Sequence, residues 1–265
     1  MSIPSSPRVV YRHNPLVEVI CQLRFPSILR IASADVADFQ DKIRREYPLY
    51  GRQEPPIGFE QMPAEVAAIM ERLNVLKPPG SLTHRFSTVD SKRFISLSAD
   101  FLAITEGAYE RWDMLKTEVR KAEAALQEVY RPAFYSRVGL RYKDLVSRDK
   151  LGLTGIPWKE LLAPHISGEL GATEISDLVL STQTQTILQT PEVTGGRIRL
   201  IHQLVTVVGT QEQCYMIDVD LYVERKEGVV DESFGILDEF NHIAGRLFRW
   251  AIAPRLHDAM GPEPV

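Results

Sequence analysis

Apolar and polar residues alternate along several stretches of the chain, as they do in β-strands that bury one face. The first such stretch is HNPLVEVICQLRFP, residues 13–26. Its apolar side consists of Val17, Val19, Cys21, Leu23 and Phe25. Its other side carries Glu18, Gln22 and Arg24 together with Ile20. This pattern predicts a strand with one buried and one largely polar face.

The same alternation predicts six further strands. They cover residues 83–90, 92–105, 134–146, 174–190, 197–209 and 213–225. The first two of these strands meet around Asp90 and Ser91, which predicts a hairpin.

Apolar residues spaced three or four positions apart predict helices. Two of these helices are long, at about residues 107–130 and 232–253, and Trp112 lies on the apolar stripe of the first. Shorter helices are predicted over residues 33–48, 64–76 and 157–166. Prolines follow several of these segments, and proline ends a helix because it lacks the backbone N–H.

The predicted elements repeat along the chain. QLRF at 22–25 and GLRY at 139–142 are 117 positions apart, and DFLAIT at 100–105 and DLYVER at 220–225 are 120 apart. We therefore expect an α+β fold with a mostly antiparallel sheet and the two long helices packed on one face. Residues 1–132 and 133–265 would form two related β-α-β-β-α halves, closely packed or merged into one domain. Chance matching of short motifs is the alternative.

Composition restricts the class of protein. The 265 residues are 44% hydrophobic and 25% charged, with a net charge of -4. This charge argues against a nucleic-acid partner, and the absence of a long apolar run argues against a membrane partner. The N-terminal residues MSIPSSPRVV lack the apolar core of a signal peptide. Cys21 and Cys214 lie within predicted strands, so we expect free, buried cysteines in a cytoplasmic protein.

The sequence contains none of the common catalytic motifs, such as a phosphate-binding G-x-x-x-x-G-K-[ST] loop, a G-x-S-x-G elbow or an H-E-x-x-H metal motif. Its six histidines do not show the spacing of metal ligands. We therefore predict no catalytic residue and no cofactor.

One group of charged residues is a candidate binding site. Asp218, Asp220 and Glu224 share the face of one predicted strand, where oxygen ligands would suit Mg²⁺. Arginines on the faces of the predicted strands would bind a phosphorylated ligand, and these are Arg24, Arg137, Arg141, Arg197 and Arg199. The simpler interpretation is a solvent-facing sheet surface on which acids and arginines pair across strands. In that case, removing Asp218 and Asp220 should change stability by less than about 1 kcal/mol, as expected for exposed ion pairs.

Three of the stretches resemble the signatures of a known family. NPLVEVICQLRFP, SADFLAIT and RVGLRYKD are similar to motifs of a sporadically distributed family of uncharacterised bacterial proteins of about 250 residues. The resemblance extends over nearly the whole chain but implies no activity, cofactor or site residue. A patchy distribution of this kind suggests an accessory of a defence system, including defence against phage.

Together, these observations favour a non-enzymatic binding protein. Its partner would be another protein, in a bacterial defence or toxin-neutralising system, and a homodimer is a further arrangement to consider. The alternative is a metal-dependent phosphohydrolase or nucleotide-binding protein that uses Mg²⁺ on the acidic strand. An enzyme should have polar side chains converging in a pocket, whereas an interaction protein should present an exposed face.

Overall fold

A computed structural model describes residues 3–33, 36–53, 82–207, 209–226 and 232–264. Eleven strands occur in these ranges. They are β1 (Val9–Tyr11), β2 (Leu16–Arg24), β3 (Leu49–Gln53), β4 (Thr83–Ser87), β5 (Arg93–Ser98), β6 (Phe101–Glu106), β7 (Arg137–Val146), β8 (Gln183–Thr190), β9 (Gly196–Thr206), β10 (Gln213–Glu224) and β11 (Pro262–Pro264).

Nine of the strands form one sheet in the order β3-β4-β5-β6-β2-β7-β10-β9-β8. Every neighbouring pair is antiparallel. At its centre β2 pairs with β7, and Gln22 lies opposite Gly139. A separate two-stranded sheet joins β1 to β11 near the two ends of the described chain. The prediction of an α+β fold with a mostly antiparallel sheet is therefore confirmed.

Seven α-helices connect these strands within the described residues. They are α1 (Leu29–Ser33), α2 (Ala37–Ile43), α3 (Trp112–Val129), α4 (Trp158–Leu161), α5 (Pro164–Ser167), α6 (Ser233–Ala251) and α7 (Pro254–Ala259). Short 3-10 turns cover Gly168–Gly171 and Ser176–Leu178. None of the described helices combines the length and the apolar composition needed to cross a membrane.

The apolar face of the sheet forms the core. Along β2 the fully buried side chains are Val19, Cys21 and Leu23. They lie beside equally buried apolar residues of β6 and β7. Helix α6 contacts β7 and β10, and α3 contacts β6. Burial of these side chains supplies most of the driving force for folding, at about 25 cal/mol for each Å² of apolar surface removed from water.

Several predicted elements have other bounds in the structure. The segment 92–105 forms two strands, β5 and β6, and the helix predicted over 33–48 is α2, at Ala37–Ile43. The segment 174–190 becomes a strand only from Gln183, because residues 176–178 form a 3-10 turn. The long helix expected from about residue 107 begins at Trp112, since the N–H of Gly107 still bonds to the carbonyl of Lys92 in the turn before β5. The helix predicted over residues 64–76 lies outside the described residues.

Trp112 provides a test of the packing of α3. Its side chain is 4% exposed, and its indole N–H donates a 2.7 Å hydrogen bond to Asp238 on α6. Trp112→Ala should lower the free energy of unfolding by about 3–5 kcal/mol, as expected for a buried large aromatic residue. Urea denaturation measures the change. Met114→Ala on the same helix is the control, because Met114 is 46% exposed and its loss should cost well under 1 kcal/mol. Equal effects of the two changes would contradict the assignment of the buried face.

Candidate functional site

All the charged residues singled out in the sequence lie on one face of four adjacent strands. We call this face, in the region of β2, β7, β10 and β9, the polar face. Its residues are Glu18, Gln22, Arg24, Arg137, Gly139, Arg141, Lys143, Arg197, Arg199, Asp218, Asp220, Tyr222 and Glu224. They are brought together because the side chains of a strand alternate and the strands pair in register.

The register arranges these side chains in rows across the sheet. One row contains Arg141, Asp220 and Arg199, and the next contains Gln22, Gly139 and Tyr222 with Arg197. A third row places Arg24 opposite Arg137, which lies opposite Glu224. Two arginines facing each other across β2 and β7 would repel. They avoid this because the Arg137 side chain runs along its own strand instead.

Asp220 is the centre of the polar face. Nη2 of Arg137 donates to both of its carboxylate oxygens, at 2.9 and 3.0 Å, and Nη2 of Arg199 donates to Oδ2 at 3.0 Å. Nη1 of Arg137 donates to Oε1 of Gln22 at 2.8 Å, and the guanidinium lies 4.7 Å from the centre of the Tyr222 ring. Arg137, Arg199 and Asp220 are all buried. A buried cluster of this kind is rigid, because each lost contact would leave a charge without compensation.

Gly139 allows this arrangement. Arg137 is two residues before Gly139 on β7, and its guanidinium lies directly over the glycine. A β-carbon at position 139 would come within 2.5 Å of Nη1 and 3.1 Å of Cζ of Arg137. Glycine inside a strand is a recognised sign of such a close approach. The sequence analysis missed Gly139, although this signal was present in RVGLRYKD.

Further ion pairs surround the central cluster. Arg141 binds Asp218 through two nitrogens, with Nε at 2.7 Å from Oδ1, and Lys143 pairs with Glu18. Arg24 lies 4.0 Å from Asp100 in the turn before β6. Arg197 and Glu224 are exposed at the side of the cluster. The structure therefore brings every predicted binding residue to one surface and shows most of the charges paired with one another.

The geometry does not favour a metal site. Both oxygens of Asp220 and both oxygens of Asp218 are bound by guanidinium groups, so a cation would have to displace arginines. In the described part of the chain, no three histidine, cysteine, aspartate or glutamate side chains are grouped so that they could hold a metal ion. The predicted Mg²⁺ site at Asp218, Asp220 and Glu224 stays a prediction.

Neither cysteine of the chain is an activated nucleophile. Burial raises the pKa of Cys21, on the apolar face, to about 12, so its thiol stays protonated at neutral pH. Burial likewise raises the pKa of Cys214 to about 11. His202 lies on the apolar face, where burial lowers its pKa, and its Nδ1 lies 2.7 Å from the hydroxyl of Tyr215.

Two shallow cavities lie away from the polar face. One, of about 290 Å³, lies between α2 and α3 and is lined by Lys42, Tyr47 and Glu128 among others. The other, of about 300 Å³, lies near Ile3, Leu188 and Trp250. Neither of these two cavities includes a residue of the polar face.

Gly139→Ala tests the dependence of the cluster on the missing side chain. The added methyl group should push Arg137 away from Asp220 and Gln22 and lower the free energy of unfolding by about 1–3 kcal/mol, the usual cost of overpacking. Gly51→Ala in β3 is the matched control, because a β-carbon there meets nothing within 4 Å. In an Arg137→Ala background, Gly139→Ala should cost much less. An unchanged cost in that background would show that Arg137 does not cause the effect.

The expectation that the acidic pair is exposed to solvent was wrong. Asp218 is 7% exposed and Asp220 6% exposed, because long basic side chains lie over them. Asp220→Asn should lower the free energy of unfolding by about 3–5 kcal/mol, since it leaves two buried guanidinium groups without a counter-charge. The control is Glu263→Gln, whose pair with Arg12 is exposed and should contribute at most about 1 kcal/mol. Similar losses in both variants, measured by urea denaturation, would argue against the special role of Asp220.

Comparison with known proteins does not identify a family. No family model matches the chain, and no curated protein sequence shows significant similarity to it. The resemblance to a family of bacterial proteins therefore stays a prediction, and the function has to be argued from the geometry of the polar face.

Proposed function

We propose that the protein is a non-enzymatic binding protein whose polar face docks an acidic protein partner. The observation that carries this proposal is the mutual pairing of the charged groups on the face. A catalytic site needs groups left free to act on a substrate, whereas here the central charged groups bind one another. Such a preorganised surface loses little conformational entropy when a partner binds.

The charge of the polar face supports an acidic partner. Its strands contribute six basic side chains against four acidic ones, whereas the whole chain has a net charge of -4. Side chains at the rim keep part of their charge in contact with solvent, since Arg24 is 28% and Arg141 30% exposed. Rim charges of this kind steer a partner and select its orientation, while the buried cluster keeps their positions fixed.

The sheet order supports two related halves. Reading outward from the centre, β2, β6, β5 and β4 on one side correspond to β7, β10, β9 and β8 on the other. In each half a long helix, α3 or α6, follows the strand next to the centre and packs on the apolar face. The halves would correspond to residues 1–132 and 133–265, with Arg24 equivalent to Arg141.

The register of the sheet refines this relation. Leu23 and Leu140 are 117 positions apart, and their partners on the next strands, Leu102 and Leu221, are 119 apart. The offset of 120 taken from DFLAIT and DLYVER would place Leu102 on Tyr222, which lies on the opposite face. The relation therefore fits best with offsets of 117 and 119.

The biological setting follows from the same proposal. Two free, buried cysteines fit a reducing compartment, so the protein would act in the cytoplasm. The resemblance of the three signature stretches favours an accessory of a bacterial defence or toxin-neutralising system. No cofactor is required for this role.

Affinity capture tests the binding surface. The wild-type chain is used as bait in extracts of its native host, and captured proteins are compared with the products of neighbouring genes. Arg24→Glu/Arg197→Glu should reduce capture of an acidic partner at least tenfold, because it reverses two charges at the rim of the polar face. Arg44→Glu/Arg45→Glu is the matched control, since these exposed arginines follow α2 on the other side of the sheet. Loss of the partner in the control but not in the rim variant would refute the assignment of the surface.

Divalent cations distinguish the alternative, a metal-dependent phosphohydrolase or nucleotide-binding protein. The arginines on these strands favour this alternative, because guanidinium groups bind phosphorylated ligands. Occupancy at a hundred times the dissociation constant would add about 2.7 kcal/mol of stability, which is readily seen as a thermal shift. We expect no shift with Mg²⁺ or Mn²⁺. A shift in the wild type that Asp218→Asn/Asp220→Asn lacks would replace our proposal with the metal-dependent one.

A further inference from the structure

The strand β8 is an edge of the nine-stranded sheet. Among the described strands it pairs with β9 alone, on one side, so half of its backbone N–H and C=O groups point away from the sheet. Five of its eight residues are exposed, including Ile187 at 59%. An unpaired edge of this length is able to accept a further strand.

The composition of β8 does not discourage pairing. Edge strands usually carry lysines, prolines or bulges that prevent association with another chain. The sequence of β8, QTQTILQT, contains no charged residue, no proline and no glycine. The strand at the other end of the described sheet, β3, covers Leu49–Gln53 and includes Gly51 and Arg52. The composition of β8 is therefore the one suited to strand addition.

Exposed apolar residues are concentrated beside this edge. Among the described residues, three of the five most exposed large apolar side chains are Leu178, Leu180 and Ile187, at 75%, 84% and 59%. Between Ile175 and Thr190 the only charged residue is Asp177. An apolar, nearly uncharged surface next to an unpaired strand is typical of an interface.

A comparison of the two halves of the sheet also favours strand addition at β8. This comparison, unlike the preceding observations, rests on the proposed relation between the halves. The counterpart of β8 is β4, which pairs with β5 on one side and with β3 on the other. In the described part of the second half no strand corresponds to β3, so β8 is the position where an additional strand would complete it.

We propose that the chain forms a homodimer in which β8 pairs antiparallel with β8 of a second copy. When a two-fold axis relates two copies of β8 within one sheet, the two copies run antiparallel. The pair would therefore continue the antiparallel order of the nine strands. An uncharged strand meets its own copy without like-charge repulsion in any register. A charged partner would gain nothing from β8, whereas a second copy also supplies matching apolar residues at positions 178, 180 and 187.

The small size of the contact indicates a weak, reversible dimer. Eight residues span about 26 Å at the usual rise per residue. A strand edge of this length buries less than the roughly 600 Å² per partner at the lower limit of stable interfaces, so the flanking leucines must contribute. The dimer should therefore dissociate in roughly the micromolar range.

Sedimentation velocity of the full chain between about 1 and 200 µM tests this dimer in the concentration range expected for it. The wild type should change from monomer to dimer, and Gln185→Lys/Ile187→Lys should weaken association at least tenfold by placing four lysines at the two-fold contact. Val89→Lys is the matched control, because Val89 is 78% exposed in the turn after β4 and away from the edge. Its dissociation constant should equal that of the wild type.

A second variant and a second measurement protect the test against misfolding. Leu178→Ser/Leu180→Ser should also weaken the dimer, and the backbone amides of β8 in the wild type should exchange with deuterium more slowly at high protein concentration. A wild type that stays monomeric at about 200 µM would overturn the proposal. A dimer that both edge variants leave intact, with no added protection of β8, would place the interface elsewhere and overturn it as well. Neither result depends on the acidic partner of the polar face.

Discussion

The carboxylate of Asp220 orders the polar face of the sheet. It accepts hydrogen bonds from Arg137 and Arg199, and Arg137 in turn holds Gln22 on the central strand. Four neighbouring strands are thus tied together by side chains as well as by their backbone ladders. Because the cluster is buried, its charges are satisfied only as a set, and the shape of the surface follows from that set rather than from any single residue.

This ordering is what supports our proposal of recognition rather than catalysis. Catalytic groups are usually held in environments that shift their pKa toward the working pH or leave them free to touch a substrate. Here the arginines and aspartates face one another, and the cysteine thiols are buried and protonated. The polar face extends to the edge of β8, where Ile187 lies opposite Arg199, and pairing through β8 would join two polar faces into one continuous surface.

Much of this arrangement could be predicted from the sequence. The features that were not predicted depend on contacts between strands, which the sequence pattern does not contain. The alternation along β7 correctly predicted that Arg137 and Arg141 share one face of that strand. The alternation along β10 correctly predicted the same for Asp218 and Asp220. Pattern alone does not reveal which strands are neighbours, so the pairing of acids with arginines was expected in general, but the individual partners and their burial were missed. Between residues 174 and 182 the alternation is present, yet apolar residues such as Leu180 are exposed there instead of facing a sheet. Gly139 was overlooked because its role depends on the path of a side chain two residues away.

The central pairing of β2 with β7 has a consequence for how the chain folds. Arg24 and its partner Arg137 are separated by 113 residues, and β1 pairs with β11 at the far end of the chain. Contacts this distant in sequence form slowly, because a long loop must close before they contribute. During synthesis the first half can pair β2 with β6, but the opposite edge of β2 stays open until β7 has emerged. For that interval the nascent chain presents an unpaired strand backed by apolar residues, which makes it a substrate for chaperones and a starting point for aggregation.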